Sequence, residues 1–103
     1  MITEYVQFDL PREFSRDDAV ATMRDAAPRW LNLPNLVRKT FVYDPVANQA
    51  GAFYLWEDRA SAEAAHDEVW RQSIRDRFGS EPSIRYFDTP LVVDNALGRI
   101  IDE

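Results

Sequence analysis

Two neighbouring segments constrain the fold most, because each is apolar on both faces when it is written as a strand. They are "LVRKTFVYD" (residues 36–44) and "GAFYLWE" (residues 51–57), and the short segment "PVANQAG" between them has the length of a hairpin connection. In the first segment, Val37, Phe41 and Tyr43 share one parity, and Leu36 and Val42 share the other. A hairpin of this kind needs apolar cover on both of its faces.

The segments before this hairpin predict a strand and a helix. "ITEYVQFDLP" alternates and predicts a strand that Pro11 ends, with one apolar parity: Ile2, Val6, Phe8 and Leu10. "SRDDAVATMRDAAPRWL" predicts a helix that begins with a capping box of Ser15 and Asp18. Pro28 is expected to end or kink this helix.

A second helix and a last strand follow the hairpin. The helix is predicted to begin near Asp58 or Ser61, to kink near Asp67, and to end at about Phe78 with Gly79 as its C-cap. Its buried stripe is expected to comprise Ala62, Ala65, Val69 and Ser73, flanked by His66 and Trp70. "SIRYFDTPLVVD" predicts a strand broken at Pro90, and the segment after it is weakly patterned.

The resulting order, β-α-β-β-α-β, is that of the ferredoxin-like α+β fold, a four-stranded antiparallel sheet with both helices on one face. We expect one such domain over residues 1–95 and a C-terminal tail over residues 96–103. The other face of the sheet would leave a large apolar surface bare, which soluble monomers rarely do. A homodimer that packs sheet against sheet, as a dimeric α+β barrel, is therefore predicted.

Charge and composition exclude several function classes. The net charge is −6, so we expect neither a nucleic acid nor an anionic membrane as partner. There is no cysteine and only one histidine, and the acidic residues show no metal-ligand spacing, so no metal site is expected. The N-terminus does not have the pattern of a signal peptide and no apolar run could span a bilayer, which predicts a soluble, cytoplasmic protein.

Three stretches carry a resemblance to a known superfamily. "GAFYLWEDRASAEAA" resembles the strand-Trp-Glu-helix segment of the antibiotic-biosynthesis monooxygenase-like proteins, which form dimeric α+β barrels. "VWRQSIRDRFGSEPSIRYFDTPLVVDN" resembles the last helix and strand of the YdhR-type monooxygenases in that superfamily, and "PNLVRKTFVYD" is similar to their second strand, with Asn35 where glycine is usual. The resemblance covers residues 2–95 and implies the fold, together with oxygenase chemistry that uses no cofactor.

The resemblance also implies some site residues and casts doubt on others. Trp56 matches the tryptophan that ends the third strand and lines a pocket in the polyketide oxygenases, but their asparagine and tyrosine would fall at Ala52 and Ala62. Gln7 stands loosely where the haem-degrading branch has an asparagine. His66 lies earlier in the helix than the haem ligand of that branch, so haem is not expected.

Cofactor-free oxygenation requires a dry, aromatic-walled site with a base and groups that bind an oxyanion. We predict His66 as the base, because its ordinary pKa lies nearest neutrality, and Trp56 as its catalytic neighbour. The predicted substrate-binding residues are Tyr54, Trp70, Arg85, Tyr86 and Gln7. Each of these residues also has a purely structural interpretation, as core, dimer interface or cross-strand ion pair.

The hypothesis that follows is a cofactor-independent monooxygenase that acts on a small hydrophobic or aromatic, polyketide-like substrate. Two alternatives remain open: a non-catalytic dimer that binds a small ligand, and an isomerase or cyclase on the same scaffold. The fold alone does not decide among them.

Overall fold

The computed structural model describes all 103 residues as three helices and six strands. In chain order the elements are β1 (Ile2–Asp9), α1 (Arg16–Trp30), β2 (Leu36–Asp44), β3 (Gln49–Trp56), α2 (Arg59–Ala65), α3 (Glu68–Phe78), β4 (Ser83–Asp88), β5 (Leu91–Asp94) and β6 (Arg99–Asp102). The main sheet has the strand order β2-β3-β1-β4, and every neighbouring pair is antiparallel. The predicted ferredoxin-like α+β fold is confirmed.

Helix α1 begins as predicted and continues for two residues past Pro28, where the sequence predicted an end or a kink. The side chain of Ser15 accepts a hydrogen bond from the backbone N–H of Asp18, and the Asp18 carboxylate accepts one from the backbone N–H of Ser15. Pro28 lies inside the last turn, where its missing N–H removes only one bond before the helix ends. The helix therefore reaches Trp30, which is buried in the core.

The second predicted helix is two helices, α2 and α3, separated by His66 and Asp67. His66 is the C-cap of α2, and the carboxylate of Asp67 accepts from the backbone N–H of Trp70 as the N-cap of α3. This break changes the phase of the helical stripe, so Val69 is 79% exposed instead of buried. The predicted C-cap, Gly79, is confirmed by its left-handed φ of 74°.

A bulge near Val37 shifts the parity of β2. Leu36 lies opposite Trp56, whereas Arg38 lies opposite Leu55, so one extra residue intervenes on β2. Leu36 therefore faces the helices together with the later residues of odd number, and Val37 is left 40% exposed. The bulge explains why Leu36 and Phe41 lie on different parities in the sequence but face the same side of the sheet.

The C-terminal segment forms a hairpin of β5 and β6, which the weak sequence pattern did not predict. Asp94 on β5 accepts a hydrogen bond from Arg38 of β2 at 2.7 Å, and Val92 borders the same depression as Leu55. The hairpin thus covers one end of the sheet face that carries no helix. The expected boundary at residue 95 falls between its two strands.

The remainder of this helix-free face exposes aromatic side chains. Tyr5 and Phe53 stack with their ring centroids 4.4 Å apart, yet Phe53 remains 44% exposed and Phe87 41% exposed. The core lies on the opposite side of the sheet, where all three helices pack. None of the helices is both long enough and apolar enough to cross a lipid bilayer.

Candidate functional site

A carboxylate lies inside the core, at the point where the sheet and α2 meet. Glu4 occupies an inward-facing position of β1 between Ile2 and Val6, and it is fully buried. Its Oε1 accepts a hydrogen bond from Trp56 Nε1 at 2.9 Å, and its Oε2 lies 2.9 Å from His66 Nδ1. Two partners therefore satisfy this buried charge, as buried carboxylates require.

His66 reaches Glu4 because the chain breaks its helix there. The imidazole is enclosed by three aromatic rings, with centroid distances of 5.7 Å to Trp30, 4.7 Å to Tyr54 and 4.4 Å to Trp70. With the Glu4 carboxylate as the acceptor of this bond, Nδ1 is the ring nitrogen that carries the proton. Nε2 is buried and has no hydrogen-bond partner. We call Glu4, Trp56 and His66 the buried polar cluster.

A pocket lies beside this cluster, between the sheet and helices α1 and α3. Its volume is about 90 Å³, and its wall is mostly apolar. Trp30, Tyr54 and Trp70 line it, and these are the same rings that enclose His66 on their other side. Neither His66 nor Trp56 lines the pocket itself. The buried polar cluster is thus separated from the pocket by the aromatic side chains that form the pocket wall.

Lys39 is the charged group in the interior of this pocket. Its Nζ lies 4.0 Å from the ring centroids of Trp30 and Phe41 and 4.7 Å from that of Tyr54. Burial, and after it the nearby charge of Arg29, lowers the pKa of Lys39 to about 7, although Glu4 acts in the opposite direction. Near neutral pH this amine is therefore divided between its neutral and charged forms.

Two tyrosines near Glu4 keep their protons more firmly than usual. Burial raises the pKa of Tyr54 well above its ordinary value, and the negative charge of Glu4 adds to this effect. Burial, and then Glu4, raises the pKa of Tyr86 to about 12, although Arg59 lies over its ring at 4.3 Å. Both phenols are therefore neutral hydrogen-bond donors at physiological pH.

Comparison with known proteins adds a family to this geometry. The family model described as "Putative mono-oxygenase ydhR" matches residues 5–88, which include all of the main sheet except its first three residues, and all three helices. The chain belongs to this family. No curated protein matches it in sequence. The resemblance read from the sequence is confirmed, and a monooxygenase-like role is supported at the level of the family.

Within this member of the family, the residues predicted for the site fall on two sides of the sheet. Trp56, His66, Tyr54 and Trp70 come together on the helix side, and Tyr86 packs against the same core cluster. Gln7 and Arg85 lie on the helix-free face. Gln7 donates a hydrogen bond to Gln49 at 2.5 Å, and Arg85 lies over the ring of Phe87 at 4.9 Å. These two residues do not line the pocket.

Ala52 and Ala62, where the resemblance implied an asparagine and a tyrosine in the polyketide oxygenases, are both buried, at 2% and 0% exposure. The polar partner of Trp56 comes instead from the neighbouring strand, as Glu4. No group of three or more histidine or acidic side chains is arranged to hold a metal ion.

Sequence reasoning missed Glu4 and Lys39, and one signal could have revealed both. Each is a single charge within an otherwise apolar parity of a strand: Glu4 between Ile2 and Val6, and Lys39 between Val37 and Phe41. A charge at such a position is buried with a partner or placed in a cavity. In the structure, Glu4 is the buried charge with partners, and Lys39 is the charge that lies in a cavity.

Proposed function

We propose that this protein is a cytoplasmic, cofactor-independent monooxygenase that acts, as a homodimer, on a small hydrophobic aromatic substrate. The observation that carries the proposal is the pocket between sheet and helices, which is walled by Trp30, Phe41, Tyr54 and Trp70. In a chain of the mono-oxygenase family, an apolar aromatic pocket with few polar groups is suited to an electron-rich ring.

The size of the pocket limits the substrate. At about 90 Å³ it is smaller than a cavity of roughly 150 Å³ that admits benzene. One edge of a substrate ring would occupy the pocket, and the remainder would extend toward the mouth. This favours a small aromatic compound, or one edge of a fused-ring compound, over a polyketide that is enclosed completely.

The chemistry we propose uses the substrate itself as the reductant. A phenol or dihydroquinone loses a proton, and the electron-rich anion passes an electron to molecular oxygen. The protein contributes a dry site, hydrogen-bond donors such as the Tyr54 hydroxyl, and a fixed orientation. We propose His66 and Trp56 as positioning residues, because through Glu4 they hold the aromatic wall in place.

Oxygen uptake tests this function. Purified protein would be assayed with a panel of phenols and hydroquinones, without added metal or flavin and in the presence of a chelator. Ala26 lines the pocket, whereas Ala27 on the same helix is exposed and does not. We expect Ala26→Trp to fill the pocket and abolish uptake, and the control Ala27→Trp to retain it.

Two results would favour a function other than the monooxygenase. Aromatic binding without oxygen uptake across the whole panel would favour the ligand-binding dimer, a candidate that the apolar Ala52 and Ala62 also favour. Turnover under strict anaerobiosis would favour an isomerase or cyclase.

The homodimer is supported by the exposed aromatic side chains of the helix-free face, centred on Phe53. Light scattering at micromolar concentration should give twice the chain mass. Phe53→Glu should give a monomer, because it places a charge at the centre of the interface. Val46→Glu is the control, since Val46 is 95% exposed in the β2–β3 turn. A monomeric wild type would contradict the dimer.

A further inference from the structure

The charges that line the pocket all have one sign. Arg29, Lys39 and Arg77 are among the lining residues, and no aspartate or glutamate is. The chain as a whole has 18 acidic and 12 basic residues, so a lining of cations alone runs against its composition. None of the three forms an ion pair within the protein. The pocket is therefore a positive site in a negative protein.

The three cations lie at different depths. Arg29 and Arg77 are exposed, and their guanidinium groups lie 5.0 Å from the rings of Trp30 and Phe78, respectively. Lys39 lies between aromatic faces in the interior and makes no hydrogen bond there. Aromatic faces attract a cation but offer it no acceptor in a fixed direction. The amine thus has room for one partner, which the protein does not supply.

We propose that the pocket takes an aromatic compound with a weakly acidic hydroxyl group, and that Lys39 is the base that removes the hydroxyl proton. The O–H bond of the ligand breaks and a third N–H bond forms on Nζ, which leaves an oxyanion beside an ammonium. No oxidant takes part in this step. The inference rests on the proposed function in taking the substrate to be aromatic.

Position distinguishes Lys39 from His66 as the base. The amine lines the pocket, whereas the imidazole lies behind Tyr54 and Trp70. With a pKa of about 7, Lys39 has a neutral fraction that can accept a proton at physiological pH. The other charged or titratable groups that face it are Arg29 from α1, Glu4 from β1 and Tyr54 from β3, with Arg77 of α3 on the same pocket. Tyr54 can donate its hydroxyl to the oxyanion.

Anaerobic binding of 2-naphthol tests the inference without any oxygenation. This probe ionises well above pH 7 in water, and its anion has a separate absorption band. The oxyanion–ammonium complex contains one shared proton, so affinity should be highest between the pKa of Lys39 and that of the probe. It should fall about tenfold per pH unit on either side. Bound probe should show the anion band already at pH 8.

Two variants separate charge from proton transfer. Lys39→Arg keeps the cation but cannot accept a proton, so its affinity should rise with pH up to the pKa of the probe, where the wild type is level, and should show no fall above that pKa, where the wild type falls. Lys39→Met should bind without the anion band and at least tenfold more weakly at pH 8. Arg16→Met, which removes an exposed cation outside the pocket, should match the wild type.

The outcomes distinguish this inference from the proposed function. Wild-type binding without the anion band, or a Lys39→Met variant that retains both the band and the affinity, would overturn the role of Lys39. Full oxygen uptake by Lys39→Met would do the same. A bell-shaped affinity for 2-naphthol with no oxygen uptake on any phenol would support the binding chemistry and refute the monooxygenase.

Discussion

The buried polar cluster gives a sharp prediction for stability. In Glu4→Leu, the indole N–H of Trp56 and the imidazole N–H of His66 both lose their acceptor in a region without solvent access. A buried donor without a partner costs about 1–3 kcal/mol, and removing one member of a buried pair typically costs about 3–5 kcal/mol. We expect Glu4→Leu to lower the free energy of unfolding by roughly 3–5 kcal/mol, a large fraction of the stability of a typical domain.

Glu4→Gln should fall between this variant and the wild type. The glutamine carbonyl still accepts from Trp56, but its amide donates toward His66 Nδ1, which must then give up its proton. That proton moves to Nε2, which is buried without a partner. Trp56 keeps its acceptor, whereas in Glu4→Leu both Trp56 and His66 lose theirs, so the expected loss is smaller, about 1–3 kcal/mol.

Urea denaturation, followed by tryptophan fluorescence and by far-ultraviolet circular dichroism at one fixed protein concentration, measures these differences. Glu13 is an exposed glutamate without a side-chain hydrogen bond, and Glu13→Leu and Glu13→Gln should both lie within about 0.5 kcal/mol of the wild type. The double variant Glu4→Leu, His66→Phe removes one orphaned donor and should recover part of the loss. If Glu4→Leu unfolds at the same urea concentration as the wild type, the cluster does not stabilise the fold and the reasoning fails.

Two further predictions concern Lys39 and Gly51. The pKa of Lys39 is about 7 in the folded chain and about 10.4 in the unfolded chain, so between these values the unfolded chain binds more protons and stability rises with pH. Between pH 7 and pH 9, the wild type should gain about 2 kcal/mol relative to Lys39→Met in urea titrations, and parallel pH profiles would contradict the burial of the amine. A Cβ at Gly51 would lie 2.0 Å from the carbonyl oxygen of Val6, so Gly51→Ala should lower stability by at least about 2 kcal/mol. Gly98→Ala meets open space at a φ of 65° and should lose only about 1 kcal/mol, and a Gly51→Ala loss no larger than that would refute the close approach of β1 to β3.

The order of helices and strands could be predicted because it depends on sequence signals between residues that are close in the chain. The Ser15–Asp18 capping box, the left-handed cap at Gly79 and the alternation of β1 each depend on residues a few positions apart. Such signals survive whatever the rest of the chain does. The strand order then follows from the small set of ways in which these elements pack.

The face to which an individual side chain points is harder to predict, because one extra residue in a strand or helix reverses or rotates the side chains that follow it. The bulge at Val37 moves Leu36 to the helix side, and the break at His66 and Asp67 turns Val69 outward. Both irregularities depend on contacts with distant segments: Leu36 packs in the main core cluster, and His66 bonds a glutamate 62 positions away. Periodicity within one segment contains no information about such partners.

Only part of the candidate site could be predicted, because the sequence pattern gives the type of each residue more reliably than the face that it occupies. His66, Trp56, Tyr54 and Trp70 come together because all four lie on the apolar side of their elements. Family position and chemical type indicate Gln7 and Arg85, but neither criterion depends on the face of the sheet, and both residues lie on the helix-free side. Gln7 and Glu4 are three residues apart on β1, so their side chains point to opposite faces of the sheet. The sequence alone predicts this difference of face.

Glu4 and Lys39 are both charges in an apolar layer, but their surroundings assign them different roles. Glu4 has a donor for each carboxylate oxygen, so the fold compensates for its burial and its role within the protein is complete. Lys39 has aromatic faces around it but no hydrogen-bond acceptor, so the fold compensates only in part for its burial. A half-buried cation without a hydrogen-bond acceptor favours a partner from outside the chain, because incompletely compensated charges concentrate at functional sites. This asymmetry is why the proton chemistry of the pocket is assigned to Lys39, and why Glu4 is assigned to the structure that supports it.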